Sequence, residues 1–256
     1  MRRPALYLII VIASFGCRTT TGKESETIRM IQLQTLSFGT VSDTVIVPFV
    51  TNNRIVYYKD LQLYITRTLR SMEIGDTDKY VYDTLFHYHV IKQGDDLGLQ
   101  YDSLNIKIPK KFRIDSLLKE NQMDAEYLRI FDFVYSNPFE VTRNKFGELV
   151  NEKYAFAKKN GKPDSIFRYY DLKLKGIDFS YSRKIDSLKK SKLVKTIFLE
   201  GVVPLRRSAG YKLSFEMSEV PIKDPKFYID LFKRYTRDIE GISKREAIHP
   251  IRMKHF

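Results

Sequence analysis

Apolar and polar residues alternate with a period of two along several segments of this chain, and turn residues separate the segments. Successive side chains of a β-strand point to opposite faces, so this alternation predicts strands with one face on a core. The pattern is clearest over residues 79–92, with His87 and His89 on the same face, and over residues 211–217. The turn Gly94-Asp95-Asp96 predicts that the first of these strands pairs with a strand near residues 97–101.

Further hairpins are predicted on either side of these segments. Residues 44–58 alternate around Asn52-Asn53, which indicates a turn between two strands, and residues 148–157 and 165–174 flank a polar turn at residues 160–163. Residues 194–203 form another predicted strand. Residues 61–72 fit both helical spacing and alternation, and we favour a helix there.

Helical spacing or helix signals mark four more segments. The closing segment has the clearest signals, because Asp224 can cap it, Pro225 can open it, and Gly241 can end it. The predicted helices cover residues 114–121, 124–135, 182–192 and 225–241.

Hairpins outnumber strand–helix–strand crossovers, which predicts an α+β fold with a mainly antiparallel sheet and several short helices. Hydrophobic residues make up 43% of the chain, and the 17 Tyr and 17 Phe residues supply material for a large core. We expect one folded domain over residues 29–241, with a possible subdivision near residues 137–144. Residues 242–256 are expected to form a loose basic tail.

The first residues have the parts of an export signal. Arg2 and Arg3 precede an uncharged stretch over residues 5–16, in which leucine, isoleucine and valine dominate. A membrane-spanning helix needs about 20 apolar residues, so this stretch is too short to cross a bilayer. It therefore predicts a signal peptide over residues 1–16 rather than a membrane helix.

Cys17 is the only cysteine, so it has no internal disulfide partner, and it follows the apolar stretch directly. The sequence Ser14-Phe15-Gly16-Cys17 resembles a lipobox, of the looser kind found in Bacteroidetes, with Ser14 where Leu is most common. The resemblance implies cleavage before Cys17, a lipid on its thiol, and a membrane-anchored lipoprotein of the cell envelope, periplasmic or at the outer-membrane surface. The alternative is an ordinary secretory signal cut near residues 13–16. Residues 17–28 are polar, as in a flexible tether.

Cleavage before Cys17 removes Arg2 and Arg3 but no acidic residue, so the net charge of +13 falls to +11. An exported protein rarely meets nucleic acid, so we expect anionic envelope material or an acidic protein as the partner. A basic helix over residues 182–192 is the candidate surface, through Lys184, Lys189, Lys190 and Lys192. The alternative is a merely solvated face.

Few residues in this sequence are candidates for metal binding or catalysis. His87 and His89 could supply two ligands of a metal site, completed by Asp83, His249 or His255, although two histidines on the wetter face of a sheet are the more common case. No catalytic motif is found and no cofactor is expected. The leading hypothesis is a non-enzymatic binding or assembly module, and the alternative is an envelope hydrolase that uses an acid pair or a metal.

Overall fold

The computed structural model describes residues 27–42, 45–74, 77–102, 106, 108–156, 164–200 and 211–248. Within these residues eleven strands form one sheet, and each pairing between neighbouring strands is antiparallel. The prediction of a mainly antiparallel sheet is confirmed. The strands are β1 (Arg29–Ser42), β2 (Val45–Tyr58), β3 (Leu61–Ile74), β4 (Thr77–Lys92), β5 (Leu97–Tyr101), β6 (Lys110–Arg113), β7 (Glu140–Arg143), β8 (Leu149–Ala155), β9 (Ser165–Asp171), β10 (Lys192–Glu200) and β11 (Tyr211–Val220).

The spatial order of the strands places the first strand in the middle of the sheet. Strands β1 to β6 follow one another toward one edge, and β7 to β11 return from the other edge. β11 then pairs with β1, from Met30 opposite Val220 to Leu36 opposite Ser214. The region near residues 137–144, considered above as a possible boundary, contains edge strand β7 of this same sheet.

Helical segments connect or follow the strands at four places. They are α1 (Ile114–Glu120), α2 (Ala125–Leu128) continued by a 3-10 turn (Arg129–Phe131), α3 (Arg183–Lys189) and α4 (Pro225–Ile248). Asp224 caps α4 as predicted, because its Oδ1 accepts a hydrogen bond from the Phe227 backbone N–H. The predicted end of α4 at Gly241 is wrong, since the helix continues through this glycine to Ile248.

Both faces of the sheet are covered, by different helices. Alternate residues of the same strands join two hydrophobic clusters: Val56 and Val90 pack with Leu231 and Phe232 of α4, on what we call the long-helix face. Their neighbours Ile55 and Ile91 belong to the cluster that contains Leu117 of α1, Phe131 of the 3-10 turn and Ile185 of α3, on the short-helix face. The sheet is thus the middle layer of three.

Two hairpins, which we call the arms, extend beyond this packed region. The β1–β2 pairing continues to Ser42 and Val45, whereas β1 pairs with β11 only as far as Leu36. β2 and β3 pair only from Arg54–Ile65 to Tyr58–Leu61, whereas the β3–β4 pairing continues to Ile74 and Thr77. At about 3.3 Å per residue, the β3–β4 hairpin projects roughly 30 Å past the last β2–β3 pair. We call this end of the sheet the arm pole. The opposite end, with Arg29, the Lys59-Asp60 turn and Gln93, is called the tether pole.

Two secondary-structure predictions are wrong, the first because of pairing with β1 and the second because of burial on both faces of the strand. Asn52 and Asn53 do not form a turn but continue β2 opposite Gln34 and Leu33 of β1, and the Gln34 side-chain amide donates to Asn52 Oδ1 at 3.1 Å. Residues 61–72 belong to strand β3 rather than to a helix. Leu61 to Ile65 are all buried, so both faces of the strand are covered, and Tyr64 on the second face supplies the helical spacing that competes with the alternation.

The predicted helix over residues 124–135 is also too long. Its regular part ends at Leu128, and the 3-10 turn that follows places Phe131 in the core while Val134 is exposed. The remaining predicted strands, and the helices near residues 114–121 and 182–192, are found with boundaries shifted by a few residues. The predicted turn at residues 160–163 and the predicted strand residues 157 and 201–203 lie outside the described residues.

Candidate functional site

His87 and His89 lie together on the short-helix face of β4, as the alternation predicts. The register opposes Thr66 of β3 to His87, and Gln100 of β5 to His89. Asp102 follows the last residue of β5 and joins the same row of side chains. The histidines are therefore the centre of a polar cluster that crosses three neighbouring strands.

Hydrogen bonds connect this cluster into a chain. His87 Nδ1 lies 2.8 Å from Asp102 Oδ1, and Thr68 Oγ1 lies 3.2 Å from His87 Nε2. Asp102 also accepts from Gln100 Nε2 at 2.7 Å and from Lys110 Nζ of β6 at 3.0 Å. These donors, His87 first, hold the pKa of Asp102 well below its ordinary value.

His89 is the buried member of the cluster. Its Nε2 lies 3.1 Å from Thr66 Oγ1, and the His89 and Phe112 rings pack edge to face with their centroids 5.1 Å apart. The Nδ1 atom of His89 has no hydrogen-bond partner among the described residues. Burial, reinforced by the nearby His87, lowers the pKa of His89 to about 4. His89 is therefore neutral at neutral pH.

A metal site at this pair finds no support in the geometry. The Nε2 atoms of His87 and His89 contact two different threonines, Thr68 and Thr66, rather than a shared point. No group of three His, Cys, Asp or Glu side chains that could hold a metal occurs among the described residues. Asp83 is four residues before His87 on β4, and His249 and His255 lie outside the described residues.

The Thr68–His87–Asp102 chain has the order of groups found in nucleophilic triads, but a simpler reading accounts for it. The same Thr–His contact recurs one cross-strand step away, between Thr66 and the buried His89. Repetition along a ladder is what cross-strand pairing produces. We interpret the cluster as a polar ladder that connects β3, β4, β5 and β6.

The sequence did not indicate that Asp102, Gln100 and Lys110 would join the two histidines. A signal for the first two was present, because the Gly94-Asp95-Asp96 turn brings the next strand back along β4. Continuing that register would have placed Gln100 and Asp102 beside the histidines. Lys110 had no such signal, since β6 begins only at this residue and no turn motif predicted its pairing with β5.

A groove of about 470 Å³ runs along β4 next to this cluster. His87 and Asp102 form its polar corner, and its other walls include Leu85 and Phe86 of the arm, and Phe227 of α4. Leu85 and Phe86 are exposed by 40% and 48%. The groove thus exposes apolar surface, with a single acid that is already bonded to three donors.

A second concavity, of about 490 Å³, lies at the tether pole on the short-helix side and is called the basic cleft. Two acidic side chains, Asp60 and Asp178, line it. The five basic residues that line it give an excess of three positive charges, and they are Arg29, Lys59, Lys175, Arg183 and Lys192.

Both acids of the cleft have partners. Asp178 accepts from Gln62 Nε2 at 3.0 Å and from Arg183 at 3.4 Å, and Asp60 faces Lys92 at 3.6 Å. Neither concavity therefore brings together two unpaired carboxylates, as an acid-pair hydrolase would require.

The four lysines predicted to bind anions divide into two pairs. Lys184 and Lys190 are exposed. Lys189 reaches the buried Glu152 at 2.6 Å, and Lys192, with a side chain only 7% exposed, lies 3.3 Å from Asp186. The sequence of residues 182–192 did not indicate the ion pairs of Lys189 and Lys192, because Glu152 comes from a distant strand and Asp186 lies within the helix itself.

Glu152 shows how internal ion pairing uses part of the positive charge. Burial acts to raise its pKa, but the hydrogen bonds from Lys189, Tyr170 and Tyr154 outweigh burial and leave the pKa below its ordinary value. Glu152 thus stays ionised beneath α3. Lys189 is consequently part of the internal packing between α3 and β8.

Comparison with protein-family models and with curated proteins gives no match. Cys17 and the predicted signal peptide lie outside the described residues. In the described part of the chain no helix combines the length and the apolar character needed to cross a membrane.

Proposed function

We propose that this chain is a cell-envelope lipoprotein, lipidated at Cys17, that acts as a non-enzymatic binding or assembly module. Its tether pole binds anionic envelope material, and its arms point away from that surface. We also propose the α+β class for its fold, because helices cover both faces of the sheet. The lipobox-like residues 14–17 and the net charge support the first part of this proposal.

One observation supports the orientation. Arg29, the first residue of β1, lies in the basic cleft, so the chain enters the sheet at its basic end. Residues 17–28 span at most about 40 Å when fully extended. A lipid on Cys17 would keep the tether pole within that distance of the bilayer, where positive charge attracts anionic head groups at about 1 kcal/mol per basic residue.

The non-enzymatic assignment is supported by the state of the titratable groups. The acid of the groove and both acids of the cleft are engaged by basic or amide groups. The two histidines are arranged as a repeated ladder. The accessible surface includes basic groups at the tether pole and apolar side chains at the arm pole, which are features of a binding protein.

Vesicle binding tests the proposal with the chain from residue 17 onward, made without lipid as Cys17→Ser. We expect flotation with vesicles that contain phosphatidylglycerol but not with pure phosphatidylcholine. Changing Lys59 and Lys175 to Gln should weaken binding about tenfold or more, given the attraction per basic residue. Raising the salt from about 0.1 M should weaken it further, as the Debye length falls below about 10 Å.

The matched control removes two charges at the arm pole, with Arg67→Gln and Lys212→Gln. Both residues belong to strands that continue away from the tether pole. This control should bind as well as the unchanged protein. Equal binding to both vesicle types, or equal losses in the two variants, would contradict the proposal.

A second candidate function, an envelope hydrolase, is favoured by one observation, the Thr68–His87–Asp102 chain. Such an enzyme should be labelled by a fluorophosphonate at Thr68, and His87→Gln should abolish the labelling while Thr66→Val leaves it unchanged. Mass spectrometry of the labelled protein measures this directly. Absence of label on Thr68 in the folded protein rules out nucleophilic chemistry there.

A further inference from the structure

The positive charges of the basic cleft differ in how far they are already neutralised. Arg29 donates two hydrogen bonds to Glu219, at 2.8 and 2.9 Å, and Lys192 is paired with Asp186. Lys175 is exposed and makes no ion pair within the described part of the chain. The cleft therefore has positive charge that its own acids do not balance.

Arg183 is the second cation that a ligand can reach. Its side chain is 82% exposed, and its contact with Asp178 is long, at 3.4 Å. Asp178 keeps a shorter bond, at 3.0 Å, to Gln62, which is buried. An anion could therefore recruit Arg183 without leaving Asp178 unpartnered.

The wall of the cleft adds a neutral hydrogen-bonding group. Gln93 contributes an exposed side-chain amide, and the volume of about 490 Å³ lies within the usual range of small-ligand sites. A phosphate monoester has three terminal oxygens and up to two negative charges. It can accept from an ammonium, a guanidinium and an amide at once, which a phosphodiester or a carboxylate does less well.

We propose that the basic cleft is a binding site for a phosphate monoester group, with Lys175 and Arg183 as its principal donors. The inference rests on the proposed function for the orientation that brings the cleft to the membrane. It goes further in naming the chemistry that is recognised. The group can be a lipid head group or a free phosphate, and the two sources are separable by experiment.

The test uses the unlipidated chain described above and two double variants. Lys175→Gln with Arg183→Gln alters the cleft, and Lys184→Gln with Lys190→Gln removes two exposed charges from the adjacent α3. Each is titrated with inorganic phosphate by calorimetry. Each is also titrated with phosphatidylcholine vesicles containing either phosphatidic acid, a monoester, or phosphatidylglycerol, a diester, at equal surface charge.

We expect the unchanged protein and the α3 variant to prefer phosphatidic acid about tenfold, as one or two charge-assisted hydrogen bonds would give. The cleft variant should lose this preference. Saturable binding of inorganic phosphate that competes with the vesicles identifies free phosphate as sufficient. Preference for phosphatidic acid without such competition identifies the lipid head group.

Equal binding to the two lipids, without saturable phosphate binding, overturns the cleft proposal and leaves the proposed function standing. Loss of the preference in both double variants also overturns it, because general charge would then explain the effect. Failure to bind either anionic vesicle overturns the proposed function, and the phosphate titration still decides the cleft. Circular dichroism of both variants confirms that they are folded.

Discussion

At the scale of single residues, His89 connects the packing of the sheet to the effect of acid on its stability. Its side chain is buried between Thr66 and the Phe112 ring, with His87 and Asp102 as the nearest titratable groups. The pKa of about 4 in the folded protein compares with 6.5 for an ordinary histidine. The folded state therefore favours the neutral ring, and the unfolded chain takes up the proton first.

The sign of the effect follows from this order. The contribution that the neutral His89 ring makes to the free energy of unfolding is fully present above pH 6.5. It is lost as the pH falls from 6.5 toward 4. The loss amounts to at most about 3 kcal/mol. The depressed pKa of Asp102 acts at lower pH, below the ordinary value of 3.8, so the two effects are separable.

We predict that His89→Gln reduces this pH dependence. The measurement is the free energy of unfolding in urea at about pH 7 and about pH 4.5, on either side of most of the window. His87→Gln is the matched control and should keep most of the dependence. Identical pH dependence in His89→Gln and the unchanged protein would show that His89 is not the responsible group.

At the scale of secondary-structure elements, the short helix α3 depends on groups outside itself. Its seven residues are too few to form a stable helix alone. Ser182 Oγ accepts a hydrogen bond from the Ile185 backbone N–H at 3.1 Å and donates one to Asp132 at 2.6 Å. The same hydroxyl thus caps α3 and connects it to the segment after the 3-10 turn.

We predict that Ser182→Ala destabilises the protein by about 1–2 kcal/mol, because it removes the cap and leaves Asp132 without this donor. Ser187→Ala, on the exposed side of the same helix, should change stability by less than about 0.5 kcal/mol. Urea unfolding at neutral pH measures both. Equal effects of the two changes would mean that the cap contributes nothing.

Local signals predicted some elements and failed for others, for an identifiable reason. The β4–β5 hairpin and the start of α4 depend on turn and cap residues close in sequence, Gly94-Asp95-Asp96 and Asp224, and both were predicted. β3 was not, because both of its faces are covered, and apolar side chains on the two faces produce a helical spacing alongside the alternation. Gly241 has no Cβ and can end a helix, but it does not do so in α4.

At the scale of the whole molecule, the lipid anchor and the surface charge are expected to contribute separately to membrane binding. We predict that Cys17→Ala releases the exported protein from the membrane fraction, since several acyl chains hold a protein far more firmly than surface charge does. The Lys59→Gln and Lys175→Gln variant, with Cys17 intact, should remain in that fraction. Membrane fractionation with lipid labelling measures both, and full retention of Cys17→Ala would contradict lipidation at this residue.

The sequence by itself determined the features that depend on neighbours along the chain. These are the β4–β5 and β8–β9 hairpins, the common face of His87 and His89, the cap of α4 and the prediction that Cys17 is an anchor. Only the tertiary structure decided which charges are available. Ion pairs and hydrogen bonds form between residues far apart in sequence. Lys189 is therefore paired with Glu152, while Lys175 and Arg183 remain exposed to solvent in the cleft. The pairing of β1 with β11 also joins the two halves of the chain, and residues from both halves line the basic cleft beside Arg29. Side chains meet across the sheet according to strand register and not according to their order along the chain.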